Sequence, residues 1–135
     1  MPTLQDIKEI TFPAKPSDEA SLFVYEHKSH VPFNIERVFV ISAEQACDRG
    51  AHAHKKCNQL LVCLNGQVEL TIKDGKNEKN IMMSNPAKGI LVPAGLWAEQ
   101  SYGNDSILMV LTDQPYDESD YIRGYNDYLK HVGAA

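Results

Sequence analysis

The 135-residue sequence contains little of several residue types that mark particular protein classes. It has three cysteines, an odd number with no CxxC pair, and therefore predicts neither a disulfide framework nor a zinc knuckle. Only three of its 13 basic residues are arginines, and 18 acidic residues bring the net charge to −5. Because nucleic-acid phosphates need a basic protein face, this balance argues against nucleic acid as a partner.

Long apolar runs are also missing. No segment approaches the roughly 20 apolar residues that span a bilayer, and the first twelve residues include Asp6, Lys8 and Glu9 instead of the apolar core of a signal peptide. We therefore expect a cytoplasmic protein with no membrane partner. The length predicts a single domain over residues 1–135, large enough to bury a core without disulfides.

Short apolar segments alternate with turn signals along most of the chain. The pattern predicts eight strands, at Leu22–Glu26, Arg37–Ser42, Gln59–Leu64, Val68–Lys73, Ile81–Met83, Ile90–Val92, Trp97–Tyr102 and Ile107–Thr112. Asn65-Gly66 and Asp74-Gly75 are favoured hairpin turns because both residue pairs tolerate positive φ. Strands of this number and spacing are typical of an all-β barrel or jelly roll.

The last segment has a different period. From Asp117 to Val132 the apolar and aromatic residues recur on one helical stripe, with acidic residues in the first turn and Lys130 and His131 in the last. This pattern predicts a short C-terminal α-helix. Gly124 inside it costs about 1 kcal/mol relative to alanine, so the helix is expected to depend on docking to the barrel or to a second subunit.

Two of the five histidines, His52 and His54, are the strongest functional signal. Residues two apart on a strand point to the same face, so both imidazoles are expected to enter the lumen of a barrel. Imidazoles in a concave site serve either as metal ligands or as general bases near neutral pH.

The histidines lie in a segment with the spacing G-x-H-x-H-x4-Q-x6-G, from Gly50 to Gly66, which resembles the first motif of the cupin superfamily. That resemblance implies a jelly-roll barrel. Family members usually have glutamate where this chain has Gln59. In the second motif, which starts at Pro93, Ala98 stands in place of a histidine. Because divalent cations prefer carboxylate or imidazole ligands, we expect no metal and interpret the histidines as acid/base groups.

Several further segments narrow the resemblance to one family. They are Arg37-Val38, Arg49 to Lys56, Leu60 to Gly66, Pro93-Ala94, Trp97-Ala98-Glu99 and Tyr116 to Arg123. Together they resemble the nucleotide-sugar 3,4-ketoisomerases, cupin enzymes that act on TDP-4-keto-6-deoxyglucose in bacterial surface-polysaccharide pathways.

The resemblance implies a metal-independent and cofactor-independent tautomerisation that moves a ketone from C4 to C3 of the hexose through an enediol. His52 and His54 are expected to share the proton transfers, and which of them abstracts the carbon-bound proton stays open. The implied ligand is a TDP-linked sugar. The implied assembly is a homodimer with exchanged N-terminal strands, formed by residues before about Leu22.

The resemblance assigns further side chains to the substrate, each with a structural alternative. Arg37 and Arg123 are candidates for the diphosphate, or else form surface ion pairs. Gln59 and Glu99 are candidates for hydrogen bonds to the sugar or the histidines, or else are polar barrel lining. Trp97 is a candidate for stacking on the base or the sugar, or else belongs to the core.

Three positions depart from the family pattern. Phe39 stands where members often have tyrosine, Ala98 where they have histidine or arginine near the sugar, and Glu19 where they commonly have arginine or tyrosine. We expect these positions to influence substrate and product stereochemistry. Two alternatives follow: a cupin with 3,5-epimerase-like activity, and a non-catalytic module that binds a nucleotide sugar.

Overall fold

The computed structural model describes residues 1–134, and its main elements form two antiparallel β-sheets. The strands are β1 Lys8–Thr11, β2 Ala14–Pro16, β3 Ser21–Phe23, β4 Arg37–Ala43, β5 Cys47–His54, β6 Gln59–Asn65, β7 Val68–Lys73, β8 Glu78–Met83, β9 Lys88–Val92, β10 Trp97–Tyr102, β11 Ser106–Thr112 and β12 Tyr121–Ile122. Two 3₁₀ turns span Leu4–Asp6 and Glu118–Asp120, and the helix α1 spans Tyr125–His131. Within the described chain, no helix is long and apolar enough to cross a membrane.

The two five-stranded sheets pack face to face. The first has the order β1-β9-β6-β11-β4 and the second has the order β12-β5-β10-β7-β8. Between them lies the main core, made of alternate residues on the inner faces, including Leu61, Leu70, Ile72, Leu108 and Val110. This arrangement confirms the predicted all-β barrel.

A second apolar cluster covers the outer face of the first sheet. Leu60 and Val62 of β6 point outward and pack against Val31, Tyr25 and Phe33 from the segment that connects β3 to β4. Strand β6 is therefore buried on both faces, which accounts for its unbroken apolar run in the sequence.

All eight predicted strand segments overlap strands of the structure. The two predicted hairpin turns are present as well, with φ of 72° at Gly66 and 97° at Gly75. Four strands were not among the predicted segments. Strands β1, β2 and β12 each have only two to four residues and no strong apolar alternation, and β5 has few apolar residues, although His52 and His54 were expected on a strand.

The predicted helix from Asp117 to Val132 is wrong in its first half. Only Tyr125–His131 is helical, and the preceding residues form a 3₁₀ turn and strand β12. Tyr121 and Ile122 pair with His54 and Ala53 at the edge of β5, so the sheet captures residues whose spacing also suits a helix. Arg123 consequently lies between β12 and α1 and not on the helix.

The β2–β3 hairpin stands apart from both sheets. Its strands pair only with each other, and most of its residues are exposed. An isolated two-stranded hairpin is marginally stable in water. A further packing surface for this hairpin is therefore expected.

Candidate active site

One end of the barrel interior is polar. On the first sheet, Arg37, Thr112 and Gln59 lie opposite one another in neighbouring strands. On the second sheet, His52 and His54 lie on the same face of β5. A cavity of about 300 Å³ at this end is bordered by residues of both sheets, including His52, Gln59 and Arg37. The predicted shared face of the two histidines thus opens toward a cavity.

The two imidazoles and Tyr121 form a compact aromatic group. The rings of His52 and His54 are nearly perpendicular, with centroids 4.9 Å apart. Tyr121 lies opposite His54 in the ladder between β12 and β5, and its ring centroid is 4.3 Å from that of His54 and 5.0 Å from that of His52. The short strand β12 therefore holds a tyrosine ring against both imidazoles.

Both ring nitrogens of His54 have hydrogen-bond partners. Nδ1 lies 3.0 Å from Asp120 Oδ2, and Nε2 lies 3.2 Å from Gln59 Nε2. A carboxylate accepts and an amide nitrogen donates, so we assign the neutral tautomer with the proton on Nδ1. Asp120 also accepts from the backbone N–H groups of Lys56 and Cys57, which fix its position.

Burial keeps both histidines neutral. It lowers the pKa of His52 to about 4; the neighbouring His54 and the charge of Arg123 lower it further, and Glu118 opposes the shift. Burial also lowers the pKa of His54, although the hydrogen bond to Asp120 opposes that shift. Among the residues described, none hydrogen-bonds the His52 ring, so His52 is the imidazole with free nitrogens. A neutral imidazole with a free lone pair can act as a general base.

His54, Cys57 and Asp120 are the one group in the described chain whose side chains could together hold a metal ion, with ligand atoms within 4.8 Å of one another. The donor set fits a cation poorly. Asp120 is already engaged by His54 and two backbone N–H groups, and burial raises the pKa of the Cys57 thiol to about 11. A metal would need the thiolate, so the chemistry of this group favours a hydrogen-bonded cluster.

The two candidate diphosphate ligands lie at the border of the cavity. The Arg37 guanidinium lies 4.5 Å from the ring centroid of Phe39 and 5.1 Å from that of Tyr116. Arg123 stacks on Tyr121 at 4.3 Å and makes two hydrogen bonds to Glu118, of 2.7 and 2.9 Å. Both arginines are thus held by aromatic faces beside the cavity.

Trp97 and Glu99 lie on the opposite face of the second sheet from the histidines. Trp97 is buried against Ala53, Ile122 and Tyr128 beneath α1, and its Nε1 donates to Glu99 at 2.7 Å. The expectation that these two residues contact the substrate is corrected accordingly. Trp97 is a core residue, and Glu99 holds its indole.

The three departures from the family pattern have different positions. Ala98 lies directly opposite His52 on the inner face, and Phe39 borders the same cavity. Glu19 is exposed in the turn of the β2–β3 hairpin and does not border the cavity of its own chain. Two of the three positions are therefore next to the histidines.

A larger groove of about 390 Å³ lies beside the bulged part of β5, bordered by Asp48, Thr71, Glu99 and Ser101. It includes neither histidine. Because acid/base groups with shifted pKa values lie in the smaller cavity, we assign the chemistry to that one.

Sequence reasoning assigned no role to Asp120, Tyr121 or Gln100, all of which contact or border the site. A signal existed for Gln100. Gln100 follows Ala98 by two residues on a strand, so the two side chains point to the same face. A prediction that Ala98 faces the substrate therefore implies the same for Gln100. Asp120 and Tyr121 were hidden by the predicted helix.

Comparison with known proteins gives consistent results. The sequence model of the FdtA family, described as WxcM-like, C-terminal, matches residues 5–133. A TDP-4-oxo-6-deoxy-alpha-D-glucose-3,4-oxoisomerase of Aneurinibacillus thermoaerophilus is 38% identical over 127 residues, which are 93% of this chain and 91% of that protein.

Two solved structures agree with this match. The crystal structure of a 3,4-ketoisomerase from Helicobacter canadensis has a TM-score of 0.89 at 34% identity and covers 95% of this chain and 98% of its own. The sugar 3,4-ketoisomerase QdtA from Thermoanaerobacterium thermosaccharolyticum, solved in complex with TDP, has a TM-score of 0.88 at 34% identity and covers 97% of each chain.

The fold and the site thus define an isomerase-type cupin, a jelly roll with a pair of histidines at the open end of its barrel. Within that class, the chain belongs to the FdtA family of sugar 3,4-ketoisomerases. The resemblance to nucleotide-sugar 3,4-ketoisomerases is confirmed, and so is the expectation of an enzyme.

Proposed function

We propose that this protein converts a TDP-4-keto-6-deoxyhexose into the 3-keto isomer by acid/base catalysis without a metal. The observation that carries the proposal is the pair of neutral imidazoles, 4.9 Å apart, of which His52 borders a cavity that Arg37 and Arg123 also border. The relatives support the substrate class, since one acts on a TDP-4-oxo-6-deoxyglucose and one binds TDP.

In the proposed reaction, a base removes the proton from C3, next to the C4 carbonyl, and an enediolate forms. The same proton, or one from solvent, is then delivered to C4, while the hydroxyl proton of O3 has to reach O4. Atoms and charges balance without an oxidant or a reductant. The protein needs a base, a donor for the enediolate and an acceptor for the hydroxyl proton.

We assign the carbon-bound proton to His52, because its ring nitrogens are free and its low pKa keeps it neutral. We assign the transfer of the hydroxyl proton to His54. Asp120 holds its proton on Nδ1, so Nε2 is an acceptor that can take a hydroxyl proton once Gln59 gives way to the sugar. Arg37 and Arg123 bind the diphosphate, which for Arg123 requires exchanging its contact with Glu118.

The same proposal covers assembly and location. The exposed β2–β3 hairpin, together with Val38 and Val40 on the outer face of edge strand β4, fits packing against a second copy of the chain. Glu19, in the hairpin turn, would then belong to that interface. Light scattering should give twice the mass of the chain, and Val40→Glu should lower the measured mass.

A charged nucleotide sugar does not cross a bilayer unaided, so we place the reaction in the cytoplasm.

The test is incubation with TDP-4-keto-6-deoxyglucose in deuterated water, followed by NMR of the sugar ring. We expect loss of the C3 proton and deuterium at C4. Exchange at C5 would indicate 3,5-epimerase-like activity. TDP binding without any exchange would indicate a non-catalytic module, and loss of turnover with EDTA would contradict metal independence.

Variants separate the two histidines. His52→Asn should lower kcat roughly a thousandfold and abolish exchange at C3. His54→Asn should lower kcat less and keep slow exchange at C3. His131→Asn, an exposed histidine, is the matched control. Equal exchange in the His52→Asn variant and the unmodified protein would remove His52 from its role.

A further inference from the structure

The enediolate requires a hydrogen-bond donor, and most donors around the cavity already have another partner or role. The amide of Gln59 donates to His54, and Arg123 is paired with Glu118. Arg37 lies between two aromatic rings at the border of the cavity. Two further inner-face residues beside His52, Phe39 and Ala98, have no side-chain donor. Gln100, which also borders the cavity, has no such partner for its amide nitrogen among the described residues.

Gln100 is a buried amide on the inner face of β10, and it borders the same cavity as His52. It follows Ala98 by two residues, and Ala98 lies directly opposite His52 in the sheet. Two residues along a strand span about 7 Å. The Gln100 amide and the His52 imidazole therefore lie along one wall of the cavity. Part of a sugar ring fits between them.

The orientation of this amide is set by Tyr102. The Tyr102 hydroxyl donates to Gln100 Oε1 at 2.6 Å, and Tyr102 is itself buried in the core. Nε2 of Gln100 donates to no group within residues 1–134. Every fully buried side-chain nitrogen or oxygen in that range has a partner, so this Nε2 is accessible, and Gln100 borders both the histidine cavity and the groove beside β5.

Gly50 makes room for the amide. It lies at a β-bulge between β5 and β10, with φ of 74°. A Cβ there would come within 2.8 Å of Gln100 Cδ and 3.0 Å of Gln100 Nε2. The bulge glycine and the tyrosine together hold the amide in one place, as preorganised stabilisation of charge requires.

We propose that Gln100 is a catalytic residue whose Nε2 donates a hydrogen bond to the sugar oxygen that carries the charge of the enediolate. Tyr102 is a positioning residue that keeps Nε2, and not Oε1, toward the cavity. This inference rests on the proposed function, and it adds the donor which that reaction needs.

The principal test is Gln100→Glu, which keeps an acceptor for the Tyr102 hydroxyl and replaces the donor by an oxygen. We expect kcat to fall about 100-fold, with KM changed less than about threefold, because the lost hydrogen bond matters most in the transition state. Gln100→Met removes the donor without adding charge and should give a similar fall. Gln67→Glu, an exposed glutamine, is the matched control.

Tyr102→Phe tests the positioning role. It should lower kcat about tenfold in the normal background and have little further effect on kcat in the Gln100→Met background, since Tyr102 acts through that amide. A merely structural tyrosine would lower thermal stability equally in both backgrounds and leave the kcat effects additive.

The outcomes separate the two proposals. If the unmodified protein moves the ketone while both Gln100 variants keep kcat within tenfold, or change only KM, the inference about Gln100 is overturned and the proposed function stands. If the folded, unmodified protein neither moves the ketone nor exchanges protons at C3 or C4, the proposed function fails and this inference fails with it.

Discussion

The two faces of the second sheet carry different kinds of side chain along the same strands. On the inner face, His52, His54, Ala98 and Gln100 border or adjoin the polar end of the barrel. On the outer face, Ala53 and Trp97 pack beneath α1, with Glu99 bonded to the indole. Neighbouring residues such as Trp97 and Ala98 therefore belong to different parts of the molecule.

The difference teaches that consecutive residues of one strand contribute alternately to the cavity and to the packing beneath α1. Ala98 affects what surrounds the base, whereas its neighbours determine how the helix sits on the sheet. Substitutions on the two faces should then change different measurements. Inner-face and site substitutions should change kcat, and outer-face substitutions should change stability.

After His52→Asn, Asp120→Asn is expected to have one of the largest effects on kcat. The amide can present its N–H to His54 Nδ1, which would drive the ring proton to Nε2 and against the Gln59 amide. We expect kcat to fall about 100-fold, and the ¹⁵N shifts of the His54 ring should report the changed tautomer.

Asp117→Asn is the control for this change. Asp117 is exposed and its carboxylate accepts hydrogen bonds only from Ser119 within the described residues, so kcat should stay within twofold. A normal kcat in Asp120→Asn, with the His54 tautomer unchanged, would contradict the positioning of His54 by Asp120.

The inner face was largely predictable from the sequence, because it follows from local spacing. Alternation alone placed His52 and His54 together, and turn residues separated the strands correctly. The assignment of Trp97, Ala98 and Glu99 to one site could not hold for the same reason, since three consecutive strand residues do not share a face. The family resemblance pointed to residues 97–99 as a group. The alternation of side chains along the pleated strand determines which of them face the cavity.

The segment around Asp120 was not predictable from local spacing. Tyr121, Tyr125 and Tyr128 fit a helical stripe, yet the free edge of β5 pairs with Tyr121. Asp120 then bonds His54 across 66 positions of chain. These long-range contacts override helix propensity, and the pattern of a few neighbouring residues does not predict them.

The next largest effect concerns how kcat/KM and stability depend on pH. A base with a pKa of about 4 is about nine-tenths neutral at pH 5, whereas an unshifted histidine would be about 3% neutral. kcat/KM should therefore change little between pH 7 and pH 5. Because the unfolded chain binds protons on His52 below its ordinary pKa of 6.5 and the folded protein does not, stability should fall as the pH drops from 6.5 toward 4.

An NMR titration of the His52 ring checks this assignment directly in the free protein. Arg123→Leu should raise the pKa of His52, since the guanidinium is one of the charges that lower it. A titration of His52 at or above pH 6.5 in the unmodified protein would contradict the neutral base.

A smaller effect, on stability alone, is expected from Trp97→Phe. The change removes volume beneath α1 and the hydrogen bond to Glu99, and should cost about 1–2 kcal/mol of unfolding free energy. kcat should stay within twofold. Urea unfolding and kcat, measured on the same preparation, check both statements, and a tenfold loss of kcat at unchanged stability would place Trp97 in the substrate site after all.

The smallest effect is expected from Glu99→Gln. The amide oxygen can still accept from the Trp97 indole, and only the charge opposite Lys73, at 3.5 Å and partly exposed, is lost. Such a pair contributes under about 1 kcal/mol, so neither stability nor kcat should change measurably. Gln100→Glu makes the converse exchange of amide and carboxylate one residue further along β10, on the inner face. If the division between the faces holds, two neighbouring substitutions of the same size will differ about 100-fold in kcat. A KM for the nucleotide sugar raised tenfold by Glu99→Gln would show that the outer face also takes part in binding.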